Sequence, residues 1–429
     1  MIIMWMSLGL VSVTLLFGHS MYFEYRSADN RLAEVQAKQA INGAARYLSY
    51  LANSAENKGD LPILEQVALE QVPIDEAWYW LLGRDLQDSG SALPTFGLVD
   101  ETGKLNLNAV TTEVLEALPN MTPEFAAAIV DWRDEDSELS DYGAESETYL
   151  LMDPPYECKN APFETVEELF LLSGASEELL LGEDTNRNGI LDPNENDGDQ
   201  SLPLDNRDGR LDTGLLEYFT VYSRESTLAT DGEERVNVND DNEGLEAVLS
   251  EILGSDRASE IGAAGGDFEN MLDYYRASGM TADEFAKVDG ELTVYEEPPF
   301  GLVNINTASR AVLAALPGIG EDNVDAVLGQ RASLGGIQTS LAWITDVLDE
   351  ADLAQLGEYI TGNSYQLTAD VVAVGRNGRG YRRESFVIDT SNELAEVRHR
   401  KDLSRLGWAL GPAARLNLMQ LLEEQSRRQ

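Results

Sequence analysis

The first 23 residues, MIIMWMSLGLVSVTLLFGHSMYF, carry no charged side chain; Glu24 is the first. A helix of that length is about 34 Å long at about 1.5 Å per residue, enough for a hydrocarbon core of about 30 Å. The run is therefore predicted to span a membrane. A cleaved secretory signal would want a basic segment ahead of the run and a small-residue cleavage site, and FGHSMYF is a poor one. The stretch that follows, EYRSADNRLAEVQAKQAINGAARYLSYLANSA, has one helix breaker, Gly43. Leu32, Val35, Ile41, Ala44, Leu48 and Leu51 recur there at roughly three-and-four spacing. The pattern predicts one continuous helix of about fifty residues. Residues 1–23 form its apolar part, and residues 24–55 form an amphipathic continuation that docks on a head.

The chain has 429 residues, 43% of them apolar, which leaves room for two or three domains with cores. Asp and Glu number 77 against 30 Lys and Arg, a formal net charge of -47. A field of that sign repels phosphate backbones and suits a soluble ectodomain, a basic partner or bound divalent cations. Cys158 is the only cysteine, so there is no intrachain disulfide and no cysteine metal cage. It reads as a small buried residue. His19 lies in the apolar run and His399 in the basic segment EVRHRKD. No Ser-His-Asp or Cys-His set can be built from them, and the chain is read as non-enzymatic.

Two segments of the head repeat one another. KLNLNAVTTEVLEALPNMTPEFAAAIVDWRD starts at Lys104 and LVNINTASRAVLAALPGIGEDNVDAVLGQRA at Leu302. Each has a short strand-like start, a polar residue suited to N-capping, a short helix, a turn and a second helix. FETVEELFLLSG follows the first copy and IQTSLAWITDVL the second. A weaker third echo, RVNVNDDNEGLEAVLSEIL, begins at Arg235 and lacks the Pro-Gly hairpin. The second copy resembles the helix-hairpin-helix motif of competence and repair proteins, in which the PGIG hairpin offers N–H groups to a phosphate. Here Glu321 and Asp322 directly follow Gly320, and Asp325 lies one turn on. The first copy has Asn120 and Met121 where the glycine and isoleucine would stand. The hairpin is expected to serve as a packing unit that holds no nucleic acid; a membrane-anchored DNA receptor of the competence type is the alternative.

DTNRNGILDPNE, Asp184 to Glu195, matches the twelve-residue EF-hand loop. Asp184, Asn186 and Asn188 stand at positions one, three and five, and Gly189 at the turn. Ile190 would offer its carbonyl at seven, Leu191 an apolar plug at eight, Asp192 a ligand at nine and Glu195 a bidentate carboxylate at twelve. Oxygen donors at this spacing suit calcium. DNRDGRLDTGLLE repeats half the pattern with Asn206, Asp208, Gly209 and Asp212 at three, five, six and nine. Its positions one and twelve are Leu204 and Leu215, so Asp205, Glu217, Asp197 or Asp199 would have to complete a second site. One calcium ion is expected in the first loop and a second is open. The flanks are not a helix pair, so the expected role is a structural clamp.

YQLTADVVAVGRNGRGYRRESFVIDTS, Tyr365 to Ser391, sets two β-rich runs around a glycine-rich turn and predicts a hairpin. Arg376, Arg379, Arg382 and Arg383 gather there, and VRHRKDLSRLGW adds more. They are expected to balance the chain's own acidic helical region; an acidic partner or phospholipid heads is the other reading. AWYWLLG, Ala77 to Gly83, suits another strand.

Taken in order, these features resemble the general secretion pathway protein K family, the large minor pseudopilins of type II secretion. GLVDETGKLNLN, LMDPPYECKNAPFETVEELF, FGLVNINTASRAVLAALPGI and YQLTADVVAVGRNGRGYRRESFVID carry the likeness, which extends over nearly the whole chain. It implies an α+β pilin-like fold, a long N-terminal helix on an antiparallel sheet, with a large inserted helical domain of helix-hairpin-helix or SAM-like repeats. The expected divisions are pilin-type strands over 56–103, helical subdomains over 104–234 and 235–360, and strands and tail over 361–429. The resemblance further implies calcium in the inserted domain and an inner-membrane anchor with a periplasmic head. It implies a place at the pseudopilus tip, assembled with I-type and J-type minor pseudopilins and the major pseudopilin. Contact with the secretin or an exported protein would follow. Family members carry a short basic leader cut by a prepilin peptidase. None precedes Met1, so the resemblance implies either an upstream start or an uncleaved anchor. The absence of an acidic residue from Met1 to Phe23 matches a subunit with no neighbour above it.

Overall fold

The computed structural model describes residues 2–428, apart from 56–57, 63, 65–66, 85–92, 230–231, 263–265, 336–339 and 393. Part of the predicted 56–103 segment and the start of IQTSLAWITDVL lie outside the described residues. A single helix, α1, runs from Ile2 to Ala52. Its apolar side chains from Ile2 to Phe23 are exposed. Among the described residues it is the one helix long and apolar enough to cross a membrane. From Ala33 onward one face is buried, carried by Ala33, Ala37, Ala40, Ile41, Ala44 and Leu48. Leu32 and Val35, expected on that face, are 46% and 56% exposed. The cause is the closeness of a later hairpin, whose glycines press on the helix backbone. A Cβ added at Gly375 would lie 2.1 Å from the Ala33 carbonyl oxygen, and one at Gly380 2.3 Å from its carbonyl carbon. Only alanine-sized side chains fit such an approach.

Strands β1 (Val72–Ile74), β2 (Ala77–Leu82) and β3 (Val99–Asp100) follow. Along β2 the side chains alternate, Tyr79 and Leu81 toward α1, Trp80 and Leu82 to the other face. The predicted AWYWLLG strand is therefore a central one.

The chain then leaves the sheet and builds the same frame three times. Strand β4 (Leu105–Asn106) pairs in parallel with β5 (Phe219–Thr220), β6 (Val236–Asn237) with β7 (Leu292–Thr293), and β8 (Val303–Asn304) with β9 (Ile360–Thr361). Asn106, Asn237 and Asn304 each accept, through Oδ1, the backbone N–H two residues on, at 2.9 Å. Thr220, Thr293 and Thr361 each do so through Oγ1 at 3.1 Å. These are side-chain turns that lift the chain out of a strand and into a helix or loop. The segment from Arg235, a weak echo in the sequence, has the full frame. The division at 235 therefore separates the first unit from two further ones. The likeness hides because it resides in a few polar turn residues while the helices between them differ.

In the first and third units the helices Pro123–Arg133 and Gly320–Ser333 each bring one arginine back to the opening turn. Arg133 donates to the carbonyls of Leu107 and Val110, and Arg331 to those of Ile305 at 3.2 Å and Ala308 at 2.7 Å. One apolar core, including Leu115, Phe125, Phe285, Leu313 and Leu356, runs through all three units.

The chain returns as β10 (Gln366–Gly375), β11 (Arg379–Asp389) and β12 (Glu396–Asp402). The sheet order is β1-β2-β10-β11-β12, antiparallel throughout, with β3 also against β10. Its α1 face is packed by Val371, Ala373, Phe386 and Ile388. The other face holds Trp80, Val372 and Val374 against Leu410 and Leu418 of the region bearing the terminal helix Gly411–Arg428. The architecture is α+β, a long helix on an antiparallel sheet, with the helical region inserted between β3 and β10. Three of the four hairpin arginines meet α1, and Arg383 alone reaches into the acidic insertion. Arg376 pairs with Asp29 at 3.4 Å, Arg379 with the same carboxylate, and Arg382 with Glu34 at 3.6 Å. The hairpin turn lies beside the helix, which is why the helix supplies the counter-charges.

Glu167, in the turn Val166–Leu171 of the first unit, ties that unit to the sheet through Lys401 of β12 and pairs with Arg187 of its own unit at 2.8 Å. Burial pushes its carboxyl up, but Arg187 and Lys401 outweigh burial and hold it at about 2. A depressed carboxyl adds stability above its ordinary value of 4.5 and loses that stability as pH falls toward 2. Glu167→Gln is expected to lower the melting temperature at neutral pH and to flatten its acid limb over that window. Parallel acid limbs for the two proteins would contradict this role.

Candidate metal centre

The DTNRNGILDPNE loop follows the short helix Glu177–Leu181 and closes on the turn Pro193–Glu195. Asp184, Asn188, Asp192 and Glu195 are all buried, Asn188 and Glu195 to 1% exposure. The backbone wraps the side chains in the order the spacing implies. Asn188 and Gly189 donate their N–H groups to the Asp184 carboxylate at 2.9 and 2.8 Å. Ile190 N–H donates to Asn188 Oδ1 at 2.8 Å, and Asp192 N–H to Glu195 Oε2 at 3.0 Å. Gly189 takes a φ of 69°, the left-handed turn required at position six. The expected plug at Leu191 is corrected: Ile190 is the fully buried apolar side chain, and Leu191 is half-buried. A loop held directly against the sheet turns its seventh residue inward.

Three observations bear on whether a cation fits. Glu195 Oε1 and Asn186 Oδ1 are buried without a hydrogen-bond partner. Burial, and then the charges of Asp184, Asp192 and Glu183, push the Glu195 carboxyl up to about 8. Asn186 and Asn188 turn amide groups to Asp192 Oδ2 at 2.8 and 3.0 Å, lending that carboxylate partial positive charge. Buried oxygens that lack a donor, in a field of like charge, are the donor set a hard cation satisfies. Among the described residues no three Asp, Glu, His or Cys side chains form a metal cluster by themselves. The fit therefore rests on amide and carbonyl oxygens as well. Asp184, Asn186, Asn188, the Ile190 carbonyl, Asp192 and Glu195 would hold the ion, whose charge would join carboxylates that otherwise repel.

The second loop repeats these bonds with two substitutes that the linear pattern does not contain. Arg210 N–H donates to Asp208 Oδ1 at 2.8 Å, as position seven does to five above. Asn206 Nδ2 donates to Asp212 Oδ2 at 2.9 Å, as three does to nine. Position twelve, Leu215 in the sequence, is taken by Glu183, which accepts the Asp212 N–H at 3.0 Å. Position one, Leu204, is taken by Asn196, which accepts the Gly209 N–H at 3.2 Å. Glu183 and Asn196 flank the first loop, so the two loops are interleaved. Their signal in the sequence is weak: an acid directly before Asp184 and an amide directly after Glu195. The other candidates go elsewhere. Asp205 accepts N–H groups from Asp197, Gly198 and Arg207, and Asp197 holds Ser201. Asp199 is exposed, and Glu217 pairs with Arg84 at 3.4 Å.

The first loop is fastened to the sheet through its own carbonyls. Arg383 of β11, fully buried, grips Asp370 of β10 through Nε at 3.0 Å and Nη2 at 2.6 Å. Its other donors reach the carbonyls of Asn186, at 2.6 Å, and Arg187. Arg84 adds a second bond to the Arg187 carbonyl at 2.6 Å.

The PGIG hairpin is closed upon itself. Ile319 and Gly320 N–H both donate to the Leu316 carbonyl at 3.2 Å. A Cβ on Gly318 would lie 2.2 Å from the Asp352 carbonyl oxygen. Arg310 is paired with Glu321 at 3.2 Å and Asp325 at 3.1 Å. Two of the hairpin's N–H groups are thus spent within it, and acids flank the rest. Asn120, in the first copy, takes the left-handed turn at φ 62°.

Family models for protein K of the type II secretion system match residues 103–181 and residues 303–368. No curated protein matches. Among solved structures, the chain is similar to one described as the GspK-GspI-GspJ complex from the enterotoxigenic Escherichia coli type 2 secretion system. Identity is 13% with a TM-score of 0.41, over 88% of this chain and 98% of that one.

Calcium is expected to raise the melting temperature of the protein, and Asp184→Ala with Glu195→Ala to remove most of the gain. Glu183→Gln should remove a separate, smaller part. Identical curves with calcium and with chelator would rule out both sites. Arg383→Met, which strips the partner from buried Asp370, should cost about 3 kcal/mol or more in denaturant unfolding.

Proposed function

From a chain that is a relative of type II secretion system protein K over residues 103–181 and 303–368, we propose a minor pseudopilin that caps the pseudopilus tip and initiates its assembly. The observation that carries this reading is the pair of matches on the first and third units of one inserted region, in a head hung on a helix such as α1. The role is assembly and protein export, without catalysis by the chain itself. The anchor would lie in the bacterial inner membrane with the head in the periplasm.

Support also comes from the outer face of α1. Leu32, Val35, Tyr47 and Tyr50 are 42–67% exposed on the side turned away from the sheet. An apolar face of that kind on an anchored helix suits packing against the helices of other anchored subunits. The proposed partners are the I-type and J-type minor pseudopilins, with the major pseudopilin below and the secretin or an exported protein beyond. The chain carries no acid before Glu24, as suits a subunit with none above it. Calcium is proposed as a structural clamp that fixes the first unit on the sheet.

The protein is expected to co-purify with I-type and J-type minor pseudopilins as one complex. Val35→Glu with Tyr50→Glu should weaken that complex while leaving the melting temperature within a few degrees. A head that stays monomeric beside both partners would defeat the tip assignment.

A further inference from the structure

A cavity of about 370 Å³ opens where the second unit meets the third. Its walls come from the linker after β5 (Glu225 to Thr227), from the second unit (Arg235, Asp289, Tyr295) and from the third (Leu341, Ile360). That volume is within the range of small-molecule sites, roughly 300–1,000 Å³. It is separate from the acidic loops, and neither the anchor nor the family matches assign it a role.

The charges on its wall are unequal. Glu225, Glu234, Asp240, Asp289 and Glu296 face one cation, Arg235. Arg235 is engaged in part: it pairs with Glu225 at 3.6 Å, donates to the Tyr365 hydroxyl, and lies 5.7 Å from that ring's centroid, while its Nε is buried without a partner. Asp289 is different. It sits in the turn Asp289–Glu291 that ends the helix Ala282–Val288, and it is 6% exposed. Among the described residues its carboxylate accepts no hydrogen bond and has no cation at ion-pair distance. Its oxygens are not among the buried atoms closed off without a partner, so they open on the cavity. Burial, opposed by Arg235, pushes the carboxyl up to about 7. The apolar part of the wall, Met271, Leu302, Leu341 and Ile360, gives an elongated ligand somewhere to lay its body.

We propose that this cavity binds an organic cation, an ammonium or guanidinium group on an apolar stem, with Asp289 as its counter-ion. A bare metal ion suits the cavity less, because no three metal-ligating side chains converge there among the described residues. The cation supplies the partner that Asp289 lacks, and its stem fills space between the two units. Occupancy therefore braces the second unit against the third, independently of the calcium loops.

The test is calorimetric titration of the full-length protein in detergent with saturating calcium throughout. The probes are N-acetyl-arginine amide, cadaverine and the neutral isostere N-acetyl-citrulline amide. Both cations should bind saturably, and the neutral isostere about tenfold or more weaker. Asp289→Asn, which keeps shape and removes charge, should weaken both cations by a similar factor, with the calcium-dependent melting gain kept as proof of folding. Leu302→Trp, which fills the cavity and leaves the Asp289 carboxylate in place, should abolish binding of all three. Preference for arginine amide alone would assign the site to a guanidinium, and equal binding of cadaverine to cations generally; either supports the proposal. Binding of the neutral isostere equal to that of the cations, binding that survives Asp289→Asn, or no saturable binding of either cation overturns it.

Discussion

The buried Arg383–Asp370 pair is the constraint on which the head depends. A guanidinium with no exposure must find an acceptor for each N–H group, since each one left bare costs free energy. Asp370, on the neighbouring strand, takes only part of the fork. The rest is aimed off the sheet at the carbonyls of Asn186 and Arg187. An insertion of more than two hundred residues (β3 ends at Asp100 and β10 begins at Gln366) is thereby fixed at its first acidic loop. The loop's backbone is oriented by the sheet, and its side chains are free to turn their oxygens inward, toward one another.

That arrangement explains why so acidic a chain can be compact. Repulsion among carboxylates is local, and it is met locally. The hairpin arginines meet Asp29 and Glu34 of α1, Arg187 and Lys401 meet Glu167, and Arg331 and Arg133 meet helix-opening carbonyls instead of acids. The loops between Glu183 and Asp212 are where counter-charge runs out. The proposed ion would complete a balance that side chains supply elsewhere.

Three copies of one frame also explain the shape of the insertion. Each unit begins and ends on a two-residue parallel pair, so its two ends lie side by side and the next unit can start close by. Growth by duplication then adds core without disturbing the sheet. The first unit carries the acidic loops, and the boundary of the second and third encloses the Asp289 cavity. Both special features thus sit where units differ or meet.

Features that depend on neighbours along the chain were legible in residue order. The anchor follows from an uncharged run of sufficient length, the β10–β11 hairpin from two β-rich runs around GRNGRG, and the first acidic loop from twelve consecutive positions. The repeat was legible where Pro-Gly and alanine-rich helices marked it, and nearly silent where only Asn237 and Thr293 remained. Contacts between distant residues were not legible. Three-and-four spacing put Leu32 and Val35 on the docking face, but the press of Gly375 and Gly380 against Ala33 admits only small side chains, so the helix is rotated. Glu183 and Asn196 enter the second loop from outside its own twelve residues, which no linear pattern encodes. Arg383 looked like one more surface charge in a basic turn. Its burial came from strand pairing with β10, because periodicity specifies which side of a strand a residue takes and not what will cover that side.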